Sequence, residues 1–159
     1  MAYILSLFSS RGAVDEDALV EAVLSEWFDG SLQELHRNKW FATAAARDAI
    51  DARIAERFGD RVALCCAAAR RGDEVLEHAA WRRTPRGVLA AVVLLDQFSR
   101  HIARATPRLL GDGSRDDTAV GQAACDAAAR LAMERFLATW DPSSQVSDGG
   151  PRRHHRFRP

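Results

Sequence analysis

Five polar side chains, Asp96, Gln97, Arg100, His101 and Arg104, stand close together in this sequence, and at 3.6 residues per helical turn they fall into two stripes. Asp96, Arg100 and Arg104 recur every four residues and share one helix face, while Gln97 and His101 share the face beside it. An acid four residues ahead of an arginine makes a favourable pair. Two arginines one turn apart present planar forks suited to a carboxylate or phosphate, with Gln97 placed to orient it. This is binding chemistry. Acid–base catalysis fits less well, because Asp96 and His101, five positions apart, point about 140° from each other on a helix. The plainer reading of the five residues is a hydrogen-bonded network that fixes their helix against its neighbours.

The helix that must carry them begins at Thr84-Pro85, where threonine can cap free backbone donors and proline is preset for the first helical position. From Val88 to Leu95 every residue is apolar. No face of that segment suits water, so it reads as a core helix surrounded by others and running to Arg104. Ala105-Thr106-Pro107 ends it, since the residue before proline is pushed out of the helical region.

Ahead of it, Asp15 can cap a helix with Val20, Val23, Leu24 and Trp27 on one stripe, Phe28 widening it and Gly30 as the stop. Thr43 to Phe58 reads as a second helix, with Ile50, Ile54 and Phe58 inward, charges on the other side and Gly59 beyond its end. Asp60 then opens a third, closed at Arg70-Arg71-Gly72, and Asp73 to Trp81 a short fourth. Residues 108–116, with Gly111, Gly113 and Ser114, read as an exposed loop. Asp117 to Trp140 forms a last helix, with Val120, Ala124, Ala127 and Leu131 spaced to face the core. No strand pattern occurs. The expectation is an all-α domain of about six helices over residues 15–140, built from antiparallel pairs. Residues 1–14 read as a flexible N-terminus and 141–159 as a disordered basic tail.

Composition agrees: 159 residues, 47% hydrophobic and 28% charged, are enough for one ordinary core. Net charge is zero, but Arg152, Arg153, Arg156 and Arg158 lie at the very end, and without them 18 basic residues face 22 acidic ones. The body therefore makes no electrostatic case for specific nucleic-acid binding. Cys65, Cys66 and Cys125 lack metal-ligand spacing, so they read as buried small hydrophobes in a reducing compartment, with neither a metal nor a cofactor implied. His36 and His78 have no partner motif. No apolar run reaches the roughly 18–20 residues of a membrane span. The short N-terminal apolar patch lacks a basic region before it, which argues against a secretory signal and for the cytoplasm. Its lack of acids before Asp15 keeps an organelle leader open.

The run Leu94-Leu95-Asp96-Gln97-Phe98-Ser99-Arg100-His101 resembles the DUF924 family, whose pattern there is Leu-Leu-Asp-Gln-Phe-Pro-Arg-Asn. The resemblance extends to Trp27-Phe28, Trp40-Phe41, Ile54-x-x-Arg57-Phe58-Gly59, Trp81 with Thr84-Pro85-Arg86-Gly87, and Arg104 with Thr106-Pro107-Arg108. It covers roughly residues 20–108 and implies a TPR-like helical array in a family of unknown function. Two departures stand inside the motif. Ser99 replaces the proline, which predicts a straighter helix, and His101 replaces the asparagine. Beyond residue 108 the family's Phe-Ala-x-Asp and His-Ser-Glu segments have no counterpart, so the end of the usual array looks missing. An apolar flank left exposed in this way would favour self-association. The function these features imply is a non-catalytic scaffold for a protein or peptide partner. The alternative is a carboxylate or phosphate site, or an enzyme, at the Asp96–Arg104 face.

Overall fold

The computed structural model describes residues 15–30 and 42–141, and among them every regular element is helical. Helix α1 spans Glu16–Phe28, α2 Ala44–Arg70, α3 Ala79–Arg82 and α4 Pro85–Val92. A π-helical segment, Val93–Phe98, joins α4 to α5, Ser99–Ala105; a 3-10 turn at Pro107–Leu109 then leads to α6, Arg115–Thr139. The expectations for residues 1–14, His36, Trp40-Phe41 and the tail from 142 onward lie outside the described residues. No described helix is long and apolar enough to cross a membrane.

The chain from Pro85 to Ala105 is the axle. Its α4 half meets α1, α3 and α6, and its α5 half packs mainly along α2 and also against α6. Leu94, Leu95, Phe98 and Ile102 are wholly buried. Phe98, the last residue of the π-helical segment, stacks obliquely on Phe58 at 4.8 Å and meets Trp27 edge-on at 5.9 Å, which locks the axle to α1 and α2. Thr84 caps α4 through the Gly87 amide at 3.0 Å, and Thr106 ends α5. In α1 the Asp15 side chain accepts from the Asp17 and Ala18 amides, and Val20, Val23, Leu24 and Trp27 are buried. Phe28 is half exposed instead of widening that stripe.

Several boundaries differ from expectation. The second and third helices are one: α2 runs through Gly59 for 27 residues. Gly59 is there for close approach, since a Cβ would stand 2.8 Å from the Leu109 side chain. The inward positions Ile50, Ile54, Phe58 and Val62 keep one phase across the glycine. Gly72 does close the helix, with its own amide reaching the Ala69 carbonyl and the Asp73 amide the Ala68 carbonyl, the two bonds of a Schellman cap.

The expected helix at Asp73–Trp81 is reduced to Ala79–Arg82. Before it, Leu76 takes a left-handed backbone (φ 54°) with its side chain buried and its carbonyl held by Arg82 Nε at 3.0 Å. The loop after Pro107 is not wholly exposed either, because Leu110 is buried. In α6 the inward stripe is Thr118, Gly121, Cys125 and Ala129, out of phase with the expected one. Val120 and Leu131 face outward, each about half exposed.

The axle is also not a regular α-helix. It is π-wound just before Ser99, whose hydroxyl turns back onto the Leu95 and Asp96 carbonyls. The absence of proline has therefore not left an uninterrupted α-helix there.

Candidate functional site

The five polar residues of the axle are drawn to opposite flanks. Asp96 and Arg100 form the expected i,i+4 pair at 2.8 Å, and the same Arg100 Nη2 also donates to Asp126 of α6 at 2.9 Å. Gln97 Nε2 donates to the second oxygen of Asp96. From α6, Gln122 Nε2 donates to Asp126 at 2.9 Å and to the Ser99 hydroxyl at 2.7 Å. This cluster ties the axle to α6 and is open to solvent, with Arg100 half exposed. The hydrogen bond to Asp96 and the charge of Asp126 hold the Arg100 guanidinium above its ordinary value, against the opposing effect of burial.

His101 and Arg104 turn the other way, onto Asp51 of α2. Arg104 grips that carboxylate with two parallel bonds, Nε to Oδ2 at 2.6 Å and Nη2 to Oδ1 at 2.7 Å. His101 Nδ1 lies 2.5 Å from Oδ1, and the imidazole meets Trp27 edge-on at 5.7 Å. A proton on Nδ1 makes that contact a donation to the carboxylate; Arg104 Nη2, 2.9 Å from the same Nδ1, then stands beside it as a second donor to that oxygen and not as its hydrogen-bond partner. Asp51 and His101 are almost fully buried. Burial alone would raise the Asp51 pKa, but the bonds from Arg104 and His101 outweigh it and hold the carboxyl below its usual range.

Asp96, Arg100 and Arg104 thus do not act together on one face, and Gln97 does not join His101. Long arginine side chains reach sideways to whichever carboxylate a neighbouring helix offers, and α2 and α6 each offer one. Asp51 and Asp126 were missed from the sequence. Asp51 is one of the charges that the four-residue pattern of this helix puts on its solvated side, although it adjoins the inward Ile50, and Gln122 with Asp126 forms an i,i+4 pair that the alanines around it obscure.

Two further clusters join α1 to α2. Glu26, 6% exposed, receives Arg53 and Arg57, and Glu16 receives Arg61 and the Trp81 indole N–H. Among the described residues no three His, Cys, Asp or Glu side chains gather as metal ligands.

A separate concavity of about 300 Å³ lies between the outer half of α6 and residues 72–76. Leu76, Trp81, Ala91, Leu95, Leu131 and Phe136 give it an apolar lining. Glu74, bridged by Arg82 at 3.0 Å and by Arg135 at 2.9 Å, belongs to the same lining.

An all-helical protein with its central helix moored to both flanks by carboxylate–arginine clusters is the class that this architecture defines. The chain belongs to DUF924, described as a bacterial protein of unknown function, whose family model matches residues 23–142. That match continues beyond residue 108 and takes in α6, so the family likeness reaches further than the sequence motifs suggested. No curated protein and no solved structure matches the chain.

Proposed function

We propose that this protein is a non-catalytic, TPR-like helical scaffold that takes a short apolar peptide segment of a partner into the groove between α6 and residues 72–76. The groove's lining is the observation that carries this reading. Its volume of about 300 Å³ is at the small end for drug-sized ligands and suits one or two anchoring side chains. Leu131, 44% exposed, presents an apolar surface beside it. Two guanidiniums share the single Glu74 carboxylate, which favours an acidic residue flanking the anchor.

The test uses fluorescent peptides that carry two leucine or aromatic anchors with a flanking glutamate, beside matched peptides with serine at the anchors. The anchored peptides are expected to bind the full chain saturably. Leu131→Glu should weaken them by about tenfold or more without lowering the melting temperature. Equal binding of anchored and serine peptides, or an unaffected Leu131→Glu, would defeat the proposal.

A second reading, a carboxylate or phosphate site at Asp96, Gln97, Arg100, His101 and Arg104, draws support from the partial exposure of the two guanidiniums, 47% for Arg100 and 44% for Arg104. An incoming anion would compete with Asp96 and Asp126 at the first and with Asp51 at the second. Titration calorimetry with inorganic phosphate and with citrate tests it: saturable heat abolished by Arg100→Ala or Arg104→Ala supports this face, and no saturable heat removes it.

A further inference from the structure

Two cysteines stand where α2 and α6 cross, Cys66 from α2 and Cys125 from α6; with Cys65, the neighbour of Cys66 on α2, they are buried and none is in a disulfide. Their surroundings differ. Cys66 lines a second concavity, of about 390 Å³, together with Ala63, Ala67, Arg70 and Leu109. Its Sγ lies 3.5 Å from the Leu110 carbonyl oxygen and 3.4 Å from that of Gly121. Arg70 Nη1 donates to the same Leu110 oxygen at 3.2 Å, which brings a guanidinium beside the sulfur at the concavity, where it is also paired with the Asp117 carboxylate of α6.

Gly121 makes the approach possible. A Cβ there would stand 3.0 Å from Cys66 Sγ and 2.2 Å from the Leu110 oxygen, so α6 can lie this close only with glycine at the crossing. Cys125 follows one turn later on the same inward stripe, and the Gly121 carbonyl that Cys66 Sγ meets at 3.4 Å is the one the Cys125 amide faces in the α-helical ladder, which sets the two cysteines side by side across the crossing.

We propose that Cys66 and Cys125 form a peroxide-reactive thiol pair, Cys66 taking the oxygen and Cys125 resolving it into a disulfide that staples α2 to α6. In the first step the Cys66 sulfur attacks the outer oxygen of a hydroperoxide. The O–O bond breaks, an alcohol or water leaves with the thiol proton, and Cys66 becomes a sulfenic acid. In the second step the Cys125 sulfur attacks the Cys66 sulfur, the S–O bond breaks, and the hydroxyl leaves with the Cys125 proton as water. Two thiols are oxidised to one disulfide and one peroxide is reduced. The protonation balance agrees with this division. The hydrogen bond from Cys125 and the charge of Arg70 bring Cys66 down to about 7 against burial and the opposing Asp117 carboxylate, whereas the Cys125 thiol is pushed up by the same hydrogen bond and by burial. Burial pushes Cys65 up to about 11, which leaves it a bystander.

The experiment treats the full, folded chain with hydrogen peroxide and reads intact mass, dimedone trapping and peptide mapping. A Cys66–Cys125 disulfide within one chain is expected. Cys125→Ser should leave a dimedone-trapped Cys66, Cys66→Ser should abolish both products, and Cys65→Ser should behave as the wild type. Mapping of the wild type alone decides the matter if a variant fails to fold. A Cys65–Cys66 disulfide, a disulfide between two chains, or folded protein whose thiols stay reduced under peroxide would overturn the proposal.

Discussion

The two clusters on the axle contain the same chemistry, carboxylate against guanidinium, in two different dielectric settings. At Asp51 the carboxylate is 4% exposed and both of its described partners, His101 and Arg104, come from α5. At Asp96 and Asp126 both carboxylates are 27% exposed and share one half-exposed guanidinium. Solvent screens the second cluster and can replace any partner it loses; it cannot easily reach Asp51. Asp51 therefore holds the axle strongly to its flank, whereas the tie to α6 through Arg100 is a weak one.

Asp51→Ala is the largest expected effect. It takes the carboxylate away from a nearly buried imidazole and from the guanidinium whose fork grips it. The cost is about 3 kcal/mol, the lower end for a broken buried pair because Arg104 is itself partly exposed. Chemical denaturation should show the midpoint falling with an unchanged slope. A loss under about 1 kcal/mol would erase the contrast between the two clusters.

Acid gives the next test. Because the folded pKa of Asp51 lies below the ordinary aspartate value of 3.8, the unfolded chain binds the proton first as pH falls. The contribution of this group is complete above the unfolded value and is lost as pH drops through the folded one. Melting temperature followed downward from neutral pH should therefore decline below about 4. Asp51→Asn should start lower and decline less steeply. Parallel curves for the two proteins would mean that Asp51 carries none of the acid sensitivity.

Ser99 probes the backbone under the exposed cluster. The preceding residues are already wound as a π-helix, a geometry in which the regular ladder is interrupted. Ser99→Pro should thus cost less than the roughly 3 kcal/mol of a proline inside a regular helix. Ala91→Pro in α4 serves as the reference and should cost that much or more. Equal losses at the two positions would show that the π-winding does nothing to accommodate a proline.

What could be read from the sequence divides along the same line between local and distant causes. Asp15, Thr84-Pro85, Gly72 and Thr106-Pro107 act on backbone within a few residues, and each stands where its chemistry put it. The apolar run from Val88 gave away the axle for the same reason. Gly59 misled because a glycine judged locally looks like a stop; its cause is Leu109, fifty residues away, while the uninterrupted four-residue phase from Ile50 to Val62 was the better guide. The alanine-rich α6 offered two nearly equal stripes. Small residues were favoured inside by the close crossing at Gly121, which no pattern within α6 reveals. The i,i+4 pair of Asp96 and Arg100 was legible, but its third member was not, and the partner that claims Arg104 is 53 residues distant.

The smallest effect is the sharpest test of the comparison. Arg100→Ala removes a guanidinium from two carboxylates that water can reach, so its cost should be about 0–1 kcal/mol and should shrink further in high salt. A double-mutant cycle between Asp96 and Arg100 isolates that pair from the helical propensity each substitution changes. The coupling should be a few tenths of a kcal/mol, about that of an exposed i,i+4 pair. Part of it should pass to Asp126, because Arg100 freed from Asp96 keeps its bond to α6. Repeating the cycle with Asp126 in place of Asp96 should give a similarly small value. A coupling above about 2 kcal/mol in either cycle would place this cluster with Asp51, as part of what holds the axle, and would leave the α6 groove as the more independent surface for a ligand.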